Sequence, residues 1–251
     1  MIDAYRNQRG KVWRAFRRRV RVPLLKLAPN SKLSPMQKFV RDGFGSRIFS
    51  SVPSHEVSEV LVFGGYKGDS VDGWLNKNSG ARVHTYEPVR EYAAALEDRF
   101  LESDVTVHAF GVGKGSGSRT FFIMSDATSG HPGITQVSSA PHASIVVRFE
   151  SVARAMKDWP ERIDIAEINI EGGEYELISA LAEEGQLSQI QHVFVQFHDV
   201  GQDTDSLVGE ARNHLAQSHS QVWCYEMVWE YWRYRGPISG DSPDKRFTTL
   251  M

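Results

Sequence analysis

Cysteine is almost missing from this chain: Cys224 is the only one among 251 residues. That excludes an internal disulfide and any zinc site built on several thiolates, and it fits a reducing compartment such as the cytoplasm. Long apolar runs are missing too. None approaches the roughly 20 residues that a membrane-spanning helix needs. Net charge is small, at −2, but unevenly spread: residues 1–32 carry ten Lys/Arg against Asp3 alone, a balance of +9, which leaves −11 for the rest. So acidic a body is not expected to clamp nucleic acid across its surface.

What the chain does have is core material. At 41% hydrophobic residues over this length it predicts one large globular domain with appendages, and it excludes global disorder. The basic segment contains Arg14, Arg17, Arg18, Arg19 and Arg21, with Trp13, Phe16 and Val20 spaced three and four apart. Such spacing predicts a basic amphipathic helix, with Leu24 and Leu27 continuing the stripe and Pro23 kinking or ending it. Two roles stay open for residues 11–27. The helix packs on the acidic body, of its own chain or of a neighbouring subunit in a homo-oligomer, or it lies peripherally on the inner face of a membrane. Arginines interrupt any secretory signal core.

From about residue 55, strand-like and helix-like segments alternate. Strands are expected at 57–63, 82–86, 105–110, 163–170 and 190–197, with 221–228 and 245–250 as two last ones. Val71, Trp74 and Leu75 mark a helix after the first strand; Val89, Tyr92, Leu96 and Phe100 mark one after the second. Further helices are expected at 150–158 and 174–184, and around Leu207, Ala211 and Leu215 with Asp205 as N-cap. Residues 111–149 break the rhythm: a Gly/Ser/His/Pro-rich insertion whose runs 120–124 and 145–149 predict a β-hairpin. The fold class is α/β: a doubly wound, mostly parallel seven-stranded sheet with a hairpin insertion and a basic helical N-terminal extension over residues 1–50.

Ligands of such sheets bind at the carboxyl ends of the strands. There the sequence places Gly64-Gly65-Tyr66-Lys67-Gly68, then Glu87-Pro88, Gly111-Val112-Gly113, Glu171-Gly172-Gly173-Glu174 and His198-Asp199. Glycines allow a sharp turn and a close approach to a ligand. A carboxylate ending the second strand, 23 residues after Gly64, suits the two hydroxyls of a ribose. Gly64, Gly65, Tyr66, Gly68, Glu87, Pro88 and Gly111 are therefore the candidate cofactor-binding residues. A dinucleotide site wants Gly-x-Gly-x-x-Gly, and the spacing here fails. S-adenosylmethionine has no phosphate to cradle, and the pattern favours it.

The motifs Val-Phe-Gly-Gly-Tyr-Lys-Gly-Asp at 62–69, Val-His-Thr-Tyr-Glu-Pro at 83–88 and Ile-Asn-Ile-Glu-Gly-Gly-Glu-Tyr-Glu at 168–176, with weaker support from Met-Val-Trp-Glu-Tyr-Trp at 227–232, resemble the FkbM-type methyltransferases. The resemblance covers roughly residues 55–235. It implies a class I methyltransferase domain over 51–251 and methylation of a hydroxyl on a sugar, glycan or secondary metabolite. The family commonly has an acid where Val62 stands and Asp where Asn169 stands; the first difference removes a polar anchor near the methionine moiety, and the second speaks against a base or metal role at that position.

Methyl transfer needs alignment of acceptor oxygen, methyl carbon and sulfur, usually with a base for the hydroxyl proton. The loops after the fourth and fifth strands face the methyl group in this fold, which makes His198, Glu171 and Glu174 the catalytic candidates. His198 is the first choice as base. Asp199 either orients it or is solvated; Glu171 is a base or a binder of acceptor hydroxyls; Glu174 also suits a helix N-terminus. No metal site is claimed. His131 and His142 in the insertion are read as solvent-exposed, and the aromatics between Trp223 and Trp232 mainly as core. Two alternatives remain at this stage: a nicotinamide-dependent oxidoreductase, and a non-catalytic binding module on the same fold.

Overall fold

The computed structural model describes residues 29–123, 128–129 and 143–236. The tail segment 11–27, His131, His142 and the strand expected at 245–250 lie outside the described residues. In chain order the strands are β1 (Glu59–Phe63), β2 (Arg82–Tyr86), β3 (Val105–His108), β4 (Gly111–Gly113), β5 (Gly117–Ile123), β6 (Thr128–Ser129), β7 (Ala143–Ser151), β8 (Ile163–Ile168), β9 (Ile190–Val195), β10 (His219–Tyr225) and β11 (Trp229–Tyr234). The helices are α1 (Pro35–Arg41), α2 (Gly45–Ser50), α3 (Asp69–Lys77), α4 (Arg90–Arg99), α5 (Val152–Ala155), α6 (Glu174–Glu183) and α7 (Thr204–Ala216).

Seven strands form the main sheet in the order β10-β11-β9-β8-β1-β2-β3. Neighbours from β9 through β3 pair in parallel, while β11 runs antiparallel to both β9 and β10. The continuous apolar run of β1 reflects burial on both faces. Leu61 and Phe63 enter one cluster with Ile168, Leu177 and Val195, whereas Val60 and Val62 enter another with Trp74, Leu96 and Phe194. Since β1 has β2 on one side and β8 on the other, the strand order reverses there, and the carboxyl ends of these strands are where the ligand crevice of such a sheet is expected.

The insertion is a second sheet, ordered β4-β7-β5-β6. Its hairpin pairs β5 with β7 antiparallel, from Gly117 opposite Phe149 to Ile123 opposite Ala143. The last strands differ from expectation. Residues 221–228 are not one strand: β10 ends at Tyr225 and a tight turn returns the chain as β11. The aromatic run hid the turn because Tyr225, Trp229, Tyr231 and Trp232 are all buried on either side of it. Asp205 lies in the first turn of α7; Asp203 holds the cap position, without a side-chain cap bond.

Residues before β1 join the core. Ser34 and Gln37 close a capping box on α1, with Pro35 opening the helix. Phe39 and Ile48 are buried with Val60 and Trp74, and Phe39 meets Tyr225 edge-on at 5.2 Å. A boundary at residue 50 therefore cuts through continuous packing. Among the described residues no helix is long and apolar enough to cross a membrane.

Candidate active site

The loop leaving β1 is shaped by what it lacks. Gly64 has φ +93°, and a Cβ there would stand 2.1 Å from the Asn169 carbonyl oxygen at the end of β8. A Cβ on Gly65 would meet Thr85 Oγ1 at 2.5 Å and Leu96 at 2.7 Å; one on Gly68, with φ +85°, would meet the Phe100 ring at 2.7 Å. These glycines are required by the chain's own packing, where the sequence suggested approach to a ligand. Gly111 likewise packs on the Phe149 ring in the second sheet.

Glu87 locks this loop. Its carboxylate is 5% exposed and accepts the Tyr66 N–H at 2.7 Å and the Val89 N–H at 2.9 Å, bridging over Pro88. Burial pushes its pKa up to about 7, against the pull of those two N–H groups. Tyr66 itself sits at φ +44°, unusual for a bulky residue, with its ring 4.9 Å from Tyr92 and the Lys67 ammonium over its face.

Across the crevice, the β8–α6 turn places Glu171 at φ +52° and Gly172 at φ +98°, closed by the Gly173 N–H to the Ile170 carbonyl. Both central residues are left-handed, as in a type I′ turn, a geometry that favours Asn, Asp or Gly over Glu. Glu174 opens α6 with its side chain fully buried. One of its oxygens accepts the His198 backbone N–H at 2.7 Å and lies 3.0 Å from His198 Nδ1; the other accepts the Gly172 N–H at 2.9 Å. His198 Nε2 faces Glu171 Oε2 at 3.5 Å. The Tyr175 hydroxyl donates to the His198 carbonyl at 2.6 Å, its ring stacked on Phe197.

The fold thus brings together His198, Glu171 and Glu174 at one side of the crevice, and Gly64, Gly65, Tyr66, Gly68, Glu87 and Pro88 at the other. Asp199 turns away from His198: it accepts from the Gly201 N–H and the Thr204 hydroxyl, and the former holds its pKa low. Among the described residues no cluster of three or more His, Cys, Asp or Glu is arranged to hold a metal.

The family model of the FkbM methyltransferase domain matches residues 63–222, more than half of the chain. The chain belongs to the FkbM methyltransferase domain family. No curated protein matches it. Among solved structures, the methyltransferase FkbM of Methylobacillus flagellatus is similar at TM-score 0.47 and 15% identity, covering 85% of this chain and 58% of that one. The pre-rRNA processing fibrillarin of Methanococcus jannaschii gives 0.44 and 11%, covering 74% and 70%. An rRNA methylase of Streptococcus thermophilus gives 0.43 and 9%, covering 82% and 99%. This FkbM domain spans little more than half the length of the Methylobacillus protein.

S-adenosylmethionine is the cofactor of this family, and the donor set of this FkbM domain fits it. Besides Glu87, the site offers Asn169 Oδ1 and Thr85 Oγ1, both buried without a hydrogen-bond partner among the described residues. The Glu87 carboxylate and Asn169 Oδ1 are acceptors, which suits a ligand that brings a ribose diol and an ammonium group, whereas a pyrophosphate asks for donors; the Thr85 hydroxyl, packed beneath Gly65, can act as either. The sequence reading passes over Thr85 and treats Asn169 only as a departure from the family's Asp, because periodicity does not show that either side chain reaches the glycine loop. Only the β1–β2 and β1–β8 pairings bring them to the glycine loop.

Proposed function

We propose that this FkbM domain is an O-methyltransferase in which His198 accepts the proton of an acceptor hydroxyl, on a sugar, glycan or secondary metabolite. The observation that carries the reading is the pairing of Glu174 with both the backbone N–H and Nδ1 of His198. A carboxylate at Nδ1 keeps the proton on that nitrogen and leaves Nε2 as the basic atom, turned toward the crevice and Glu171. Glu174 is then a positioning residue, and Glu171 steadies the acceptor or the charge that develops on the imidazole. Glu87 receives the ribose hydroxyls on lone pairs left over from Tyr66 and Val89, and Asn169 Oδ1 takes the ammonium group. The cofactor, when bound, supplies an electrophilic methyl carbon on a sulfonium.

The neutral, hydroxyl-rich class of acceptor is supported by the acids beside His198. Residues 11–27 add a peripheral membrane contact at the cytoplasmic face, on the strength of their Arg/Trp/Phe pattern alone. Sedimentation with anionic and neutral liposomes tests that contact, and equal failure with both dismisses it. The function is tested with methyl-labelled cofactor against a panel of neutral glycans and hydroxylated metabolites. Wild type is expected to label a hydroxyl, His198→Ala to bind cofactor without labelling, and Glu87→Ala to lose binding. A wild type that binds cofactor and labels nothing in the panel favours the binding-module alternative.

A further inference from the structure

The structure contains a buried acid outside the catalytic group. Glu167 lies in β8, a strand buried along its whole length, and is 2% exposed. Its neighbours in register are apolar: Val62 on β1 and Phe194 on β9. Burial raises its pKa. A carboxyl group there costs several kcal/mol in desolvation, and a well-packed apolar side chain is often neutral or stabilising in such a place. Core packing therefore does not account for it.

Its two oxygens do something an apolar group cannot. One accepts the Ser70 hydroxyl and the other the Trp74 indole N–H, the latter at 2.7 Å. Ser70 and Trp74 are four residues apart on one face of α3, so a single carboxylate grips a full turn of that helix. A fork of this kind fixes both the rotation of a helix and its sliding along the axis, whereas apolar contact leaves each soft. The adjoining flank of α3 is packed closely too: the Phe49 ring lies where a Cβ of Gly73 would be, and it meets Trp74 edge-on at 4.9 Å. Gly68, the last residue of the cofactor loop, holds the N-cap position of α3, which therefore has no side-chain cap. The setting of its first turn therefore sets that of Gly64 to Gly68.

We infer that Glu167 is a positioning residue for cofactor binding, holding the first turn of α3 through Ser70 and Trp74 so that the glycine loop keeps its binding shape. The inference rests on the assignment of the cofactor to the β1–β2 rim. It is tested by titrating S-adenosylhomocysteine calorimetrically into full-length wild type, Glu167→Leu, Ser70→Ala and Trp74→Phe, with urea melts of each. Glu167→Leu is expected to weaken affinity about tenfold, with the urea midpoint unchanged or higher. Ser70→Ala and Trp74→Phe should each show part of that loss, and neither should add to it in the Glu167→Leu background. Unchanged affinity in all three variants overturns the inference, as does a loss that merely tracks destabilisation. Ser70→Ala, a mild change at a half-buried helix position, decides the matter should the leucine variant not fold. Glu87→Ala separates the two levels: if it binds as wild type does, the rim assignment itself is wrong.

Discussion

The two halves of the crevice each hold one left-handed bulky residue and one buried acid, Tyr66 with Glu87 and Glu171 with Glu174, but they differ in what surrounds that pair. The half made by the loops after β1 and β2 is defined by missing side chains, and each missing Cβ is demanded by atoms of the same chain: Asn169 at Gly64, Thr85 and Leu96 at Gly65, Phe100 at Gly68. The half made by the loops after β8 and β9 holds side chains against local preference. Glu171 occupies a left-handed position that suits glycine, and Glu174 is buried. A glycine pattern of the first kind is a folding constraint and would stand even in a protein that bound nothing. Strain and buried charge of the second kind cost stability, and they persist where the surrounding structure has a use for them.

The sharpest way to break the comparison is at the histidine. His198→Ala should lower turnover by about 10²–10⁴-fold while leaving S-adenosylhomocysteine affinity unchanged, measured by labelled-methyl transfer and calorimetry. A parallel fall in affinity would mean that the halves are not separable. On the other side, Gly64→Ala should destabilise by on the order of 3 kcal/mol or more, read by urea denaturation. The new methyl meets backbone and φ is positive. Gly201→Ala is the control: its φ is +100° but open space surrounds it, so about 1 kcal/mol is expected.

Glu87 joins the halves through pH. Its pKa is raised from 4.5 to about 7 in the folded chain, so the folded state binds a proton that the unfolded state releases. Stability of the cofactor-free protein should therefore fall by about 3 kcal/mol as pH rises from about 4.5 to about 7. Cofactor affinity, which draws on the ionised carboxylate, should tighten over the upper part of that window. Denaturation and calorimetry at pH 5, 6, 7 and 8 check both signs, and Glu87→Gln should flatten both profiles.

The smallest effect is the most pointed. Glu171→Gly relieves a left-handed residue and should stabilise the protein by about 1 kcal/mol while lowering transfer to acceptor. If stability and activity both rise, the strained side chain serves no catalytic end. Its occurrence among few such outliers, with Tyr66 in the opposing loop, is what makes the test worth doing.

Much of the fold could be read from periodicity. β2 matches the expected strand residue for residue, and the cores of β1, β8 and β9 fall inside the expected runs because each strand is buried on both faces. The β10–β11 turn could not be read, since Tyr225-Glu226-Met227-Val228 carries no glycine, proline or asparagine to announce it, and Met227 adopts φ +55° instead. At the rim, sequence order gave Glu87, Glu171, Glu174 and His198 their places at strand ends. It did not give their partners, because Glu174 and His198 are 24 residues apart and touch only after α6 and β9 have packed.

Amino-acid order alone fixed the alternation of strands and helices, the turn glycines and the acids at the carboxyl rim. These follow from local geometry and from which side chains avoid water. Tertiary packing alone decided which glycine faces which neighbour, which nitrogen of His198 is held, and where Glu167 grips its helix. Each of those is a contact between strands or helices distant in the chain, and local preference carries no record of it.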